Sequence, residues 1–255
     1  MKVIDAHIHL DSYETKQRDE ILNSLNENEV DALISVSMDL ASCKKNLDFQ
    51  LQFRQVHTAF GFHPEQKIPS EEGVQALLKW IREHEENMVA IGEVGLPYYR
   101  NQEQMLDYKP YIELLEKFIK LAYELNKPIV LHAVYEDADI VCRLLEKYKI
   151  KKAHFHWFKG NKHTIERMIQ NGYFISITPD VLYESEIQEL VKIYPLNQLM
   201  VETDGPWPFE GPFEGAYTHP LFIHESVRKI AEIKEFELED VYKILYKNTK
   251  EFYGV

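Results

Sequence analysis

The sequence predicts an α/β protein folded as one (β/α)8 TIM barrel, and three observations carry that expectation. Short apolar runs alternate with longer amphipathic stretches along all 255 residues, as βαβ units around a parallel sheet do. No G-x-G-x-x-G turn follows the first run, which argues against a dinucleotide-binding open sheet. Six of the eight runs end in histidine, aspartate or glutamate or meet one within the next two residues, and the carboxyl ends of barrel strands all open onto one face.

The runs are Lys2–Ala6, Ala32–Val36, His57–Gly61, Val89–Glu93, Pro128–Leu131, Lys152–Phe155, Phe174–Ile177 and Leu199–Glu202. They are β-branched or continuously apolar, as strands covered on both faces should be. Between them, Ile21–Asn28, Leu40–Phe53, Val74–Glu85, Met105–Leu125, Asp137–Tyr148, Thr164–Asn171 and Ser185–Ile193 repeat apolar residues at three or four. Leu221–Ile233 and Leu238–Phe252 close the chain in the same way. That period predicts helices with one buried stripe. No linker, repeat or low-complexity tract interrupts the pattern, so a single domain over 1–255 is expected.

Hydrophobic residues make up 45% of the chain and charged residues 28%, ordinary values for a soluble globular protein. The net charge of −13 argues against a sequence-reading DNA-binding protein with a basic stripe. A nucleic-acid substrate is still compatible with it, because bound divalent cations reverse the sign locally. Cys43 and Cys142 fall in helical segments with no C-x-x-C pair and read as structural thiols of a reducing compartment. The chain enters a strand at once, and no apolar run is long enough to span a bilayer. A cytoplasmic protein without membrane or obligate protein partner is the expectation.

The strand ends carry the chemistry. His7 and His9 lie two apart and so face the same side of a strand. Glu93 follows Val89-Ala90-Ile91-Gly92, and a buried carboxylate is costly unless it is paired or bound to metal. His132 follows Pro128-Ile129-Val130-Leu131, and Asp204 follows the last apolar run. His154 and His156 form a second H-x-H pair, of which one can be a ligand and the other a core residue or supporting partner. His63 is placed as a substrate contact, proton carrier or supporting group. His57 lies at the opposite end of its strand, and His84, His163, His219 and His224 read as surface residues.

Imidazoles and carboxylates without cysteine suit two divalent ions of zinc, manganese, magnesium, nickel or iron. Water shared by such a pair gives up its proton near neutral pH, and the resulting hydroxide attacks a phosphorus or carbonyl centre. Asp204 is the natural general base.

These motifs resemble the TatD family of metal-dependent hydrolases, in the amidohydrolase superfamily. The resemblance rests on Asp5-Ala6-His7-Ile8-His9-Leu10-Asp11, Gly61-Phe62-His63-Pro64, Gly92-Glu93-Val94-Gly95-Leu96, the segment from Leu125 to His132, His156-Trp157-Phe158 and Val201-Glu202-Thr203-Asp204-Gly205-Pro206. It implies a distorted (β/α)8 barrel with a binuclear centre. One ion would sit on His7, His9, Glu93 and Asp204. The other would share Glu93 and add His132 and His156. The implied activity is hydrolysis of DNA phosphodiester bonds, often from the 3′ end.

The chain departs from the family pattern at three places. Pro97 replaces the aspartate of Gly-Leu-Asp-Tyr. Ala133, Val134 and Tyr135 follow His132, where Ser/Thr-Arg-Asp is common. Gly205 replaces the serine of Thr-Asp-Ser-Pro. The segment from Trp207 to Glu214 is aromatic and acidic with no lysine or arginine. Arg100, Lys159 and Lys162 are the nearest candidate phosphate contacts. Trp157, Trp207 and Phe209 can stack on bases or simply wall the pocket. Three functions are therefore weighed: a phosphodiesterase acting on DNA ends, a hydrolase of a small amide, lactone or phosphoester on the same metals, and a non-catalytic metal-binding barrel.

Overall fold

The computed structural model describes residues 1–255. Eight strands, all parallel and in chain order, form the barrel: β1 (Val3–Ile8), β2 (Val30–Val36), β3 (Val56–Phe60), β4 (Met88–Gly95), β5 (Ile129–His132), β6 (Ala153–Phe155), β7 (Phe174–Ile177) and β8 (Leu199–Val201). Ladders join each strand to the next. The seam between β8 and β1 is made differently. Just beyond β8, Asp204 N donates to His7 O at 2.9 Å, and His9 N donates to Gly205 O at 2.8 Å. The buried Asp5 carboxylate accepts from Thr203 N at 3.0 Å and from Thr203 Oγ1 at 2.5 Å. The barrel is thus closed by the segments that reach its mouth.

Ten helices accompany the strands: α1 (Thr15–Ser24), α2 (Leu40–Gln52), α3 (Glu71–Glu83), α4 (Tyr98–Gln104), α5 (Lys109–Leu125), α6 (Tyr135–Lys147), α7 (Lys162–Asn171), α8 (Ser185–Ile193), α9 (Ile223–Lys234) and α10 (Leu238–Tyr253). No helix is long and apolar enough to cross a membrane. Their apolar stripes pack on the outside of the sheet in one continuous core. A second, smaller cluster fills the barrel interior with Ile4, Ala6, Ala32, Ile34, Val36, Ala59, Ala90, Val130 and Met200. Alanines set among branched aliphatics and one methionine fill the lumen of an eight-stranded barrel, which is only wide enough for side chains. Phe252 and Tyr253, at the end of α10, pack into this cluster and plug the barrel opposite the mouth.

Three helix expectations are corrected. The stripe read over Met105–Leu125 is a helix only from Lys109. Met105 takes a left-handed φ of 47° at the end of α4, and Pro110 sits in the first turn of α5, where its missing N–H is not needed. Leu106 therefore lies outside the helix. The first helix starts at Thr15 and ends at Ser24 instead of running from Ile21 to Asn28. The helix expected from Leu221 begins at Ile223, because Pro220–Phe222 forms a separate 3-10 turn.

Two strands carry irregularities that matter for the site. The pairing of β1 with β2 shifts register between Asp5 and Ile8, and that of β4 with β5 between Ile91 and Val94. Ala6 and Ala90 face the barrel interior, whereas Ile8 and Val94 belong to the outer core. Strict alternation would put Ala6 and Ile8 on one face and turn His7 outward. The shifts change the phase, so that His7, His9 and Glu93 reach the mouth.

Candidate metal centre

At the mouth, His7 from β1, His9 just beyond it, Glu93 from β4 and Asp204 beyond β8 converge. His7 Nε2 lies 3.3 Å from both Glu93 Oε2 and Asp204 Oδ1. His9 Nε2 lies 3.3 Å and 3.4 Å from the same two oxygens, and the two Nε2 atoms are 3.3 Å apart. Four ligand atoms set tetrahedrally around one ion at about 2.0–2.1 Å stand about 3.3–3.4 Å apart. Glu93 Oε2 and Asp204 Oδ1 are buried and have no hydrogen-bond partner. Buried carboxylate oxygens left in this way are costly, and a cation among these four atoms removes the cost. The donor set and its spacing fit a divalent metal.

A second group shares Glu93 through its other oxygen. Glu93 Oε1 lies 2.6 Å from His156 Nε2 and 3.0 Å from His132 Nδ1, and those two nitrogens are 3.1 Å apart. His63 Nε2 stands 3.5 Å from the same oxygen. These residues have the chemistry to hold a second ion, drawn together here at hydrogen-bond distances. The site residues expected from the sequence, His7, His9, His63, Glu93, His132, His156 and Asp204, are thus gathered in one place.

Charge pairing sets the protonation. Burial disfavours the cationic form of His9, but Asp204 and Glu93 outweigh it and lift the pKa to about 10. His156 and His132 are also raised against the cost of burial, His156 by Glu93 and Glu202, His132 by Glu65 and Glu93. Burial alone would push Glu93 and Asp204 up; the surrounding imidazoles hold both carboxyls below the usual range. His63 goes the other way, lowered by burial to about 3, so it is neutral. Its Nδ1 accepts from Glu65 N at 3.2 Å, which leaves the proton on Nε2, toward the mouth.

His154 does not join this group. It is buried inside the barrel, with Nδ1 2.6 Å from Tyr253 Oη and Nε2 2.5 Å from Ser176 Oγ. Ser176 Oγ in turn bonds Glu202 Oε2 at 2.5 Å, and Glu202 Oε1 accepts from Trp157 N at 2.7 Å while facing His156 Nδ1 at 3.8 Å. His154 is therefore the supporting member of its H-x-H pair. Of the histidines expected at the surface, His163 is exposed. His224 is half-buried between Tyr242 Oη and Asn28 O, His84 stacks on Trp80 at 4.0 Å, and His219 lies 3.2 Å from Ser24 Oγ. Cys43 and Cys142 are free and buried.

Sequence reading missed four residues that shape the site. Asp5 ties β1 to the segment after β8. Glu202 holds Trp157 and faces His156. Glu65 bonds His132 Nε2 at 3.2 Å. Tyr13 fills the space beside Gly205. The available signal was an acidic residue inside or next to a recognised motif: Asp5 before His7, Glu65 after His63-Pro64, Glu202 before Asp204.

The model of a family described as "TatD related DNase" matches residues 4–254. The chain belongs to the TatD family. A relative from Haemophilus influenzae, named an uncharacterized metal-dependent hydrolase, is 40% identical over 253 residues, covering 98% of this chain and 99% of that protein. Human deoxyribonuclease TATDN3 is 27% identical over 258 residues, covering 96% and 92%. The crystal structure of YjjV, a TatD homologue from Escherichia coli, superposes with a TM-score of 0.89 at 23% identity, covering 99% of this chain and 98% of that one. The last likeness shows the shared fold. The chain is a metal-dependent hydrolase of this family, built on the barrel that the sequence predicts.

Within the TatD fold, the mouth of this chain is aromatic. Trp157 packs against Trp207 and Phe209 with ring centroids 5.8 and 5.7 Å apart. Phe209 is buried and Trp207 is 58% exposed. Across His132, Tyr98 meets Tyr99 and Tyr135 at 5.4 and 5.0 Å. Val134 stands where the family commonly has arginine, and Tyr135 where it has aspartate. Arg100 is engaged, donating to Tyr111 Oη at 2.8 Å. Lys159 lies over the Trp157 ring at 5.8 Å, and Lys162 is exposed beside Glu166.

Proposed function

We propose that this TatD-family hydrolase is a two-cation phosphodiesterase acting on DNA ends. The observation that carries the reading is the pair of adjoining cages that share Glu93, one of them lined by buried carboxylate oxygens without partners. The first ion is assigned to His7, His9, Glu93 and Asp204, and the second to Glu93, His132 and His156. When bound, two divalent ions lower the pKa of water and neutralise charge developing on the phosphate oxygens.

The chain's own groups do the rest. Asp204 is ionised at neutral pH and takes the proton of the attacking water. Glu93, also ionised, keeps the two halves of the site in register, one oxygen to each. His63, neutral with its proton on Nε2, donates to a substrate oxygen. Trp157 and Trp207 offer faces on which an unpaired base stacks. The buried Glu202 carboxylate holds Trp157 N and stands beside His156, so the stacking wall and a ligand share one support.

The test is the metal-reconstituted enzyme assayed on single-stranded DNA, a generic phosphodiester and a panel of small amides and lactones, with His7→Ala as control. Turnover of the phosphodiesters, lost in the variant and after chelation, is the expected result. Turnover confined to amides or lactones overturns the substrate assignment, and full activity without metal overturns the mechanism.

A further inference from the structure

Glu65 follows the Gly61-Phe62-His63-Pro64 motif and is a member of neither cage, yet its carboxylate is held at three points. Its Oε1 accepts from Tyr99 N at 2.9 Å and its Oε2 from Arg100 N at 2.8 Å, both in the first turn of α4. The same Oε1 lies 3.2 Å from His132 Nε2. Two backbone donors on rigid chain leave this carboxylate little freedom to swing.

Both oxygens of Glu65 accept from backbone N–H groups, as a glutamate ionised at neutral pH does, and such a carboxylate only accepts hydrogen bonds. The proton between Glu65 and His132 therefore belongs to His132 Nε2. The lone pair of His132 is then on Nδ1, the atom 3.0 Å from Glu93 Oε1 and 3.1 Å from His156 Nε2. We propose that Glu65 is the positioning residue that fixes the tautomer and ring orientation of His132 for the second cation. The inference rests on the two-cation reading above. Glu65 also ties that ligand to the tyrosine wall, because it holds the N–H of Tyr99 with the oxygen that faces His132. Partners of this kind, bonded to the far nitrogen of a ligating histidine, set its basicity as well as its direction.

The experiment is a Mn²⁺ titration of the full metal-free chain, followed by the electron paramagnetic resonance of free Mn²⁺, with metal content checked by elemental analysis. Wild type is expected to take up two equivalents. Glu65→Ala should keep the first and bind the second roughly 10- to 100-fold more weakly. Glu65→Gln, which keeps an oxygen to accept from Nε2, should recover most of that loss. Asn101→Ala removes the acceptor of Leu106 N at the far end of α4. It should loosen α4 while leaving both equivalents in place.

Unchanged second-site affinity in Glu65→Ala overturns the inference alone. So does equal weakening of both sites, or a loss matched by Asn101→Ala, since each marks a purely structural role. A wild type that binds one equivalent overturns the two-cation reading and the inference with it.

Discussion

A side chain on residue 205 has no room beside Tyr13: a Cβ built on Gly205 would stand 1.6 Å from Tyr13 Oη and 2.8 Å from Tyr13 Cζ. Tyr13 is buried and donates to Thr218 O at 2.9 Å, so its ring cannot simply turn away. The glycine that departs from the Thr-Asp-Ser-Pro pattern is explained by this tyrosine, and the two residues form a compensating pair next to Asp204. Gly205→Ser should destabilise the protein by about 1–3 kcal/mol through overpacking. Tyr13→Ala should cost about 3–5 kcal/mol on its own. In the double variant the serine gains space, so the combined loss should be smaller than the sum. Denaturant midpoints of the four proteins measure this, and strict additivity would separate the two residues.

Asp204→Asn keeps size and one oxygen but cannot take a proton. We expect turnover to fall by roughly 10²- to 10⁴-fold, the range of a lost general base, with a smaller fall in bound metal. Rate and metal content measured on one preparation decide it: unchanged turnover removes Asp204 as the base.

The raised histidines set a pH dependence for the metal-free protein. His9 has a pKa of about 10 in the fold against roughly 6.5 unfolded. A raised pKa means that the folded state holds the proton longer, so its stabilising contribution is complete below about pH 6.5 and is lost as pH rises through 10. His132 and His156 act in the same direction. Metal-free stability should therefore decline from near neutrality upward. Metal uptake should release protons at pH 7 and remove that decline. Calorimetric titrations in buffers of different ionisation enthalpy count the protons, and uptake without release would contradict the arrangement.

Asp5 closes the seam by accepting from His7 N at 3.2 Å as well as from both donors of Thr203. Asp5→Ala leaves three buried donors without a partner, each worth about 1–3 kcal/mol when orphaned. The loss should approach about 3–5 kcal/mol, and Asp5→Asn should lose less. Thermal unfolding tests the order, and an alanine variant as stable as wild type would mean that the seam closes without it.

Trp207→Ala should leave stability within about 0.5 kcal/mol, as for exposed positions generally. If a base stacks there, KM for single-stranded DNA should rise by roughly 5- to 100-fold, matching about 1–3 kcal/mol per stacked base, with kcat little changed. Steady-state kinetics separate this from a wall that only shapes the pocket, for which KM stays put.

What the sequence determined by itself is what depends on local order. Parallel strands buried on both faces must be continuously apolar, so the runs announced the barrel. A barrel opens all its strand ends together, so polar residues after those runs announced the site. Helix starts were read less well where proline and left-handed residues broke an apolar stripe, as at Met105 and Pro110. Only the tertiary structure decided which atoms meet. The register shifts in β1 and β4 that turn His7, His9 and Glu93 into the mouth leave no trace in hydropathy, because pairing with a neighbouring strand creates them. The same holds for Asp5, Tyr13, Glu65 and Glu202: their partners lie far along the chain, and a carboxylate or hydroxyl shows its role only once folding sets a donor, an acceptor or a missing side chain beside it.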